Sequence, residues 1–127
     1  MEKQIIKTAD GPAPIGPYSQ AVLFGDMLFI SGQVAKDPVT GNLVMDDIPS
    51  ETRKVMENLK SILAAAGFDF SKVVKTTVFL TDMKNFPAMN EVYGSYFTKD
   101  FPARETVQVS KLPLNVNVEI SVVAVEK

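Results

Sequence analysis

The chain has 127 residues, of which 46% are hydrophobic, and a formal net charge of −2 at pH 7. This size and composition predict one packed domain spanning residues 1–127. The sequence pI of about 5.1 and the lack of a basic run argue against nucleic-acid binding, which needs cations to neutralise phosphates. Cysteine and histidine are absent, so disulfides and thiolate or imidazole metal sites are excluded. Any chemistry must use carboxylates, Arg, Lys, hydroxyls, amides or backbone groups.

The N-terminal residues 1–14 lack the apolar core of about 7–15 residues that a secretory signal requires. No apolar run is long enough to span a bilayer. The absence of cysteine is consistent with the cytosol. We therefore expect a soluble cytoplasmic protein.

The first predicted element is a β-hairpin over residues 18–34. Its strands are Tyr18–Phe24 and Met27–Gln33, and Gly25-Asp26 is a two-residue connection of the kind that tight hairpins use. Residues 37–42 (DPVTGN) predict a loop.

Residues 48–66 show the clearest helical pattern, with Asp47 as the N-cap, Pro49 in the first turn and Gly67 as the C-terminal stop. Apolar or compatible residues recur at i, i+3 and i+4, which predicts one buried stripe. The stripe comprises Ile48, Thr52, Val55, Met56, Leu59, Ile62, Leu63 and Ala66. The charged residues Glu51, Arg53, Lys54, Glu57 and Lys60 are assigned to the other face.

The second half of the chain predicts a strand over residues 72–81 and a helix over about 85–98. Two last strands, residues 104–110 and 116–125, are linked around residues 112–114. The inward-facing residues of the second helix are predicted to be Phe86, Met89, Tyr93, Tyr96 and Phe97. This order of elements predicts an α+β fold in which two helices pack on one face of a mixed β-sheet.

Alternation along the last two strands sorts their side chains by face. Arg104 and Thr106 share one face of the first strand, and Glu119 lies opposite the apolar face of the second. If the strands pair, Arg104 and Glu119 can share one side of the sheet, although the register is open. Arg104 is suited to a bidentate grip on a carboxylate. It also fits a surface or interface ion pair with Glu119 or Glu105, and an isolated Glu119 fits a solvated face.

Two other segments carry candidate residues. Residues 14–20 (PIGPYSQ) deliver Tyr18 to a strand, and Ser31-Gly32 places a glycine inside a strand. An interior glycine often marks a β-bulge or a close approach to the backbone, whereas the alternative is ordinary turn chemistry. The phosphate-loop patterns GxxxxGK[ST] and GxGxxG are absent. The second helix carries Asn90 and Tyr93, and its position makes Tyr93 a better fit to the core or an interface than to a catalytic role.

Five segments together resemble the Rid (YjgF-like) family of reactive intermediate/imine deaminases. They are IGPYSQA (15–21), FISGQ (29–33), VVKTTVFLTDM (73–83), NEVYGSYF (90–97) and PARETVQVSKLPLNVNVEI (102–120). The last carries the family signature, in which Pro-x-Arg is followed by Leu and then by an apolar-Glu-apolar triplet. The resemblance implies a chorismate-mutase-like fold and a homotrimer with clefts between subunits.

The same resemblance implies hydrolysis of reactive enamines and imines, such as 2-aminoacrylate, 2-iminobutanoate and 2-iminopropanoate, to a 2-keto acid and ammonia. No cofactor or metal is implied. Arg104 matches the residue that binds the substrate carboxylate, and Glu119 matches the residue that holds or polarises a water. Other positions match residues that line the cleft or face the ligand, namely Tyr18, Ser31, Gly32, Asn90 and Tyr93.

The sequence departs from the family pattern directly after Arg104. Glu105 stands where a small residue is usual, and Thr106 stands where bacterial members often have Cys. Alternation places Thr106 on the Arg104 face, where it can line the pocket, and turns Glu105 away. If Glu105 instead bent back to Arg104, it would compete with the substrate carboxylate.

Two alternatives to the deaminase remain open. A small-carboxylate-binding regulatory module would use the same arginine without turnover. An endoribonuclease or translation inhibitor, a label that some family members carry, is disfavoured by the acidic pI, the absence of histidine and the lack of a basic stripe.

Overall fold

The computed structural model describes residues 2–126 of the chain, in which six strands form a single mixed sheet. The strands are β1 (Gln4–Ile6), β2 (Ala21–Phe24), β3 (Met27–Gln33), β4 (Val73–Leu80), β5 (Ala103–Gln108) and β6 (Val118–Val125). Their order across the sheet is β1-β2-β3-β6-β4-β5, and every neighbouring pair is antiparallel except β4 and β5. Two α-helices, α1 (Ile48–Ala65) and α2 (Phe86–Gly94), pack on one face of this sheet. The predicted fold class is confirmed.

The β2–β3 hairpin forms with the predicted connection, since Phe24 pairs with Met27 across Gly25-Asp26. Gly25 has φ 65°, in the left-handed region that such a turn requires and that glycine adopts at little cost. Strand β2 begins at Ala21 and not at Tyr18 as predicted. The preceding residues form a turn instead, in which the Tyr18 amide donates to the Gly16 carbonyl at 2.8 Å.

Helix α1 has the predicted ends. The Asp47 carboxylate accepts a hydrogen bond from the Ser50 amide at 2.7 Å, and Gly67 has φ 80° after the last turn. The assignment of Glu51 to the solvent face is wrong, because Glu51 is 0% exposed. Its position in the first turn lies against the start of β6, where backbone N–H groups need an acceptor.

Helix α2 is shorter than predicted and ends at Gly94. Residues 95–97 continue as tighter turns, in which each amide bonds to the carbonyl three residues earlier. Met89, Tyr93 and Phe97 still point into the core as expected. Tyr96 is partly buried, and its hydroxyl lies 2.7 Å from a Glu57 carboxylate oxygen.

The two faces of the sheet differ in their cover. The face under the helices carries the buried side chains Leu28, Ile30, Val78, Leu80, Ile120 and Val122, which form the core. The other face, here called the helix-free face, exposes large apolar side chains, among them Phe24, Met27, Phe29 and Val107. No helix within residues 2–126 is long and apolar enough to cross a membrane.

Candidate functional site

Strand β3 contains the irregularity that its interior glycine predicts. Ile30 pairs with Val122 and Gln33 pairs with Ile120, so β3 has one more residue than β6 in this interval. The extra residue marks a β-bulge at Ser31-Gly32. The bulge turns the Gly32 backbone towards Glu119, whose carboxylate occupies the space that a Cβ atom at position 32 would need. Both features expected of an interior glycine are therefore present.

Arg104 and Glu119 lie on opposite faces of the sheet within one chain, so the shared side that pairing of their strands would have allowed does not form. Strands β5 and β6 do not pair with each other, because β4 lies between them. Thr76 of β4 pairs with Arg104 and also with Val122, which places Arg104 on the face under the helices. Glu119 pairs with Phe79 and alternates with buried neighbours, which places it on the helix-free face.

The Arg104 guanidinium is held by neutral groups of helix α2. Its Nη1 donates to Asn90 Oδ1 at 2.7 Å. Its Cζ lies 4.9 Å from the ring centroid of Tyr93 and 5.5 Å from that of Phe86, both within the range of cation–π contacts. The structure thus brings Asn90 and Tyr93 to Arg104. Phe86, which the sequence places only in the core, is a further contact that its helical spacing from Asn90 could have indicated.

The guanidinium borders an open cleft of about 420 Å³. The cleft is lined by Asn90, Tyr93, Gly94, Phe101, Pro102 and Arg104. No carboxylate within residues 2–126 forms a salt bridge with Arg104. The alternative in which Arg104 is neutralised by Glu105 or Glu119 does not occur in this chain, and the cation can accept an external carboxylate.

Glu105 turns away from Arg104, as alternation predicts. Its carboxylate forms a salt bridge with Lys75 at 2.8 Å. Thr106 shares the Arg104 face as predicted, but it does not line the cleft. Its hydroxyl is buried without a hydrogen-bond partner in the described part of the chain. Within one chain, Glu105 therefore does not compete for the guanidinium.

Glu119 is half-buried, and burial raises its pKa above the usual value of a glutamate. Among residues 2–126, burial is the cause of this shift, and no hydrogen bond or charged neighbour contributes to it. A carboxylate in this state exchanges a proton closer to neutral pH than an exposed glutamate does. It can therefore hold a water and accept or return a proton.

Tyr18 and Gly32 border a second, smaller cleft of about 40 Å³, together with Ile15 and Leu114. The Tyr18 side chain is 49% exposed. The Ser31 hydroxyl donates to the Ser19 carbonyl at 2.6 Å, so it braces the bulge. Leu114 was not predicted for this cleft. It has φ 61°, a left-handed conformation that costs a non-glycine residue energy and is often found at functional sites.

The predicted site residues thus form two clusters. Arg104, Asn90 and Tyr93 lie at the edge of the helix-covered face. Tyr18, Ser31, Gly32 and Glu119 lie around the bulge. Among residues 2–126, no group of three or more Asp, Glu, His or Cys side chains is arranged to hold a metal ion.

Comparison with known proteins identifies the class to which this fold and these residues belong. The profile of the family described as Endoribonuclease L-PSP matches residues 8–126. The chain therefore belongs to this family, which includes the Rid (YjgF-like) proteins, and the resemblance seen in the sequence is confirmed.

Individual relatives match over nearly the whole chain. A RutC family protein of Pyrococcus horikoshii is 52% identical over 96% of this chain and 97% of its own length. The 2-iminobutanoate/2-iminopropanoate deaminase of Homo sapiens is 46% identical over 98% of this chain and 90% of its own length. The crystal structure of TdcF of E. coli with bound serine is 41% identical, with a TM-score of 0.94, and covers 98% of this chain and 99% of its own.

Proposed function

We propose that this protein is a 2-iminobutanoate/2-iminopropanoate deaminase, a cofactor-independent hydrolase that converts reactive imines and enamines to 2-keto acids and ammonia. The observation that carries the proposal is the Arg104 guanidinium, which borders an open cleft and has no salt-bridge partner within residues 2–126. The human relative at 46% identity has that activity in its name. The serine bound to E. coli TdcF supports a small-molecule ligand that carries a carboxylate and a C2 nitrogen.

We further propose that the protein is a homotrimer whose sites form between subunits. Arg104 and Glu119 lie on opposite faces of one sheet, so a ligand that contacts both side chains would lie between two copies of the chain. The helix-free face exposes Phe29 at 43% and Val107 at 42%, and such an apolar surface favours self-association. Arg104 of one copy would then approach Glu119 and Gly32 of the next.

In the proposed reaction, Arg104 binds the carboxylate of the 2-imino acid and so fixes the position of the C=N carbon. Glu119 of the neighbouring copy accepts a proton from a water, whose oxygen forms a bond to that carbon. Glu119 passes this proton to the imine nitrogen, and the product is a carbinolamine. Glu119 then takes the proton of the new hydroxyl group and delivers it to the nitrogen, so that the C–N bond breaks, ammonia leaves and the keto group forms. General acid–base assistance of this kind contributes roughly 10²–10⁴-fold.

The test is hydrolysis of an imine that an amino-acid oxidase generates in place, with its decay followed against a chemical trap. We expect the wild type to accelerate the decay and Arg104→Ala to abolish the acceleration while remaining folded. Arg53→Ala is the matched control, because the chain has two arginines and Arg53 is exposed on α1. Wild-type rates in Arg104→Ala would refute the role of this residue.

A small-carboxylate-binding module is the second candidate, favoured by the serine bound to the E. coli relative. The same assay separates the two functions. Binding of 2-oxobutanoate without any acceleration of imine decay would indicate the module.

A further inference from the structure

The Arg104 guanidinium lies against a side chain that is itself held in place. The Tyr93 ring is the closer of the two aromatic contacts of the guanidinium, at 4.9 Å. Tyr93 is 4% exposed, and its hydroxyl lies 2.7 Å from Thr76 Oγ1 in a buried hydrogen bond. The phenol hydroxyl is therefore directed at strand β4, and the face of the ring is presented to the cation.

Thr76 is placed so that it links the ring and the arginine to the same backbone. It is 1% exposed and is the register partner of Arg104 across the parallel β4–β5 pair. Strand pairing fixes the Arg104 backbone relative to Thr76, and the hydroxyl bond fixes the Tyr93 ring relative to Thr76. Because the strand pairing and the hydroxyl bond both involve Thr76, the Tyr93 ring has a fixed position relative to the strand that carries the guanidinium.

We propose that Thr76 and Tyr93 are positioning residues that hold the Arg104 guanidinium ready for the substrate carboxylate. Neither needs to touch the substrate through its hydroxyl group. The inference rests on the proposed function, since it assumes that Arg104 binds the substrate carboxylate. Without the hydroxyl bond, the ring can turn about its side-chain torsions, and ligand binding must then immobilise the guanidinium.

The test uses Thr76→Val, which removes the hydroxyl and conserves shape, and Thr76→Ser, which restores a hydroxyl. We expect Thr76→Val to raise KM for the imine and Kd for 2-oxobutanoate about fivefold, the size of a lost cation–π contact, with little change in kcat. Thr76→Ser should return both constants towards wild type. Thr52→Val is the matched control, since Thr52 is 0% exposed and its hydroxyl has no hydrogen-bond partner within residues 2–126.

A second variant and a spectroscopic measurement cover the case in which Thr76→Val does not fold. Tyr93→Phe keeps the ring, loses the hydroxyl and should show the same fivefold shift. The Nε–H signals of Arg53 and Arg104 can be told apart in a ¹⁵N-labelled sample, because these are the two arginines of the chain. Increased mobility of the Arg104 signal in Tyr93→Phe or Thr76→Val supports the proposal.

Failure of the inference and failure of the proposed function give different results. Suppose that the wild type hydrolyses the imine and that Thr76→Val and Tyr93→Phe keep the wild-type KM and Kd and a rigid Arg104 signal. The positioning role is then refuted, and the proposed deaminase activity is supported. If the wild type binds 2-oxobutanoate without hydrolysing the imine, and the two variants bind 2-oxobutanoate more weakly, the positioning role is supported and the proposed deaminase activity is refuted.

Discussion

Arg104 and Glu119 project from opposite faces of the same sheet, with strand β4 between their strands. The two side chains have different neighbours. Within residues 2–126, Arg104 contacts an amide oxygen and two aromatic rings but no counter-ion, and the Glu119 carboxylate lies against the backbone of Gly32. If both act on one ligand, that ligand lies between two copies of the chain.

Mixed oligomers should therefore recover activity from two inactive variants. Arg104→Ala and Glu119→Gln are each expected to be inactive alone. Co-expressed in equal amounts, they should assemble sites in which one copy contributes the intact arginine and its neighbour the intact glutamate. Random assembly of a cyclic trimer gives roughly a quarter of the wild-type sites. The measurement is imine hydrolysis by the purified mixed oligomer.

The control for this experiment is the double variant Arg104→Ala/Glu119→Gln co-expressed with wild type. In this mixture an intact site needs two neighbouring wild-type copies. The mixed oligomer should therefore have a similar fraction of the wild-type activity, although no variant complements another. Complete inactivity of the mixture of single variants, in oligomers shown to contain both, would place the two residues in one chain's site.

The partial burial of Glu119 predicts opposite effects of pH on stability and activity. Its pKa is raised, so the folded state holds this proton more tightly than the unfolded chain does. The stability contributed by this group is thus greatest below the unfolded pKa and is lost as pH rises through the folded pKa. Glu119→Gln should melt at a higher temperature than wild type at pH 7, and the two should converge below about pH 4.

Activity should instead rise with pH as Glu119 loses its proton, because the proposed base must be ionised. The acid limb of the kcat/KM profile should report a pKa above that of a free glutamate. A Glu119→Gln variant that melts below the wild type at pH 7 would contradict the assigned cause of the shift.

Gly32→Ala should reduce turnover by displacing Glu119. A Cβ atom at this position overlaps the Glu119 carboxylate, so that side chain must move. We expect a loss of kcat of at least about tenfold, which is part of the roughly 10²–10⁴-fold that general acid–base catalysis supplies. Binding of 2-oxobutanoate should change less, because Arg104 is untouched. In a Glu119→Ala background the glycine substitution should have no further effect, and an additional loss there would point to damage elsewhere in the bulge.

The buried carboxylate of Glu51 should be important for stability. It accepts hydrogen bonds from the amides of Asn117 and Val118 at 2.8 and 3.0 Å and from Asn117 Nδ2 at 2.9 Å. Glu51→Ala leaves these donors without their acceptor, so we expect a loss of about 3 kcal/mol in the free energy of unfolding. Urea denaturation followed by circular dichroism measures it.

Glu51→Gln is the matched variant for this prediction. Its amide oxygen can accept from both backbone amides, and a rotated Asn117 can accept from its NH₂ group. We expect a loss below about 1 kcal/mol. Equal losses in the Ala and Gln variants would show that the negative charge, and not the set of acceptors, stabilises the start of β6.

Local patterns predicted those features that depend on neighbours in sequence. The Asp47 cap, the Gly25-Asp26 hairpin and the irregularity at Gly32 each follow from what a few adjacent residues allow the backbone to do. The end of α2 was missed, because the apolar spacing of Tyr96 and Phe97 continues past Gly94 while the backbone tightens there. Position 51 was missed for a different reason, since its acceptor role depends on a strand 66 residues further along the chain.

By itself, the sequence determined the class of fold and the family, because periodicity, turn chemistry and motifs depend on the local order of residues. It also supplied the candidate site residues. It also determined that Arg104 and Thr106 share a face, since alternation within one strand is fixed by backbone geometry. Only the tertiary structure decided that Arg104 and Glu119 face apart, that Glu51 is buried, and that the Tyr93 ring lies between Thr76 and the arginine. Those relations depend on which strands become neighbours, and packing of the whole core, not local preference, selects that order.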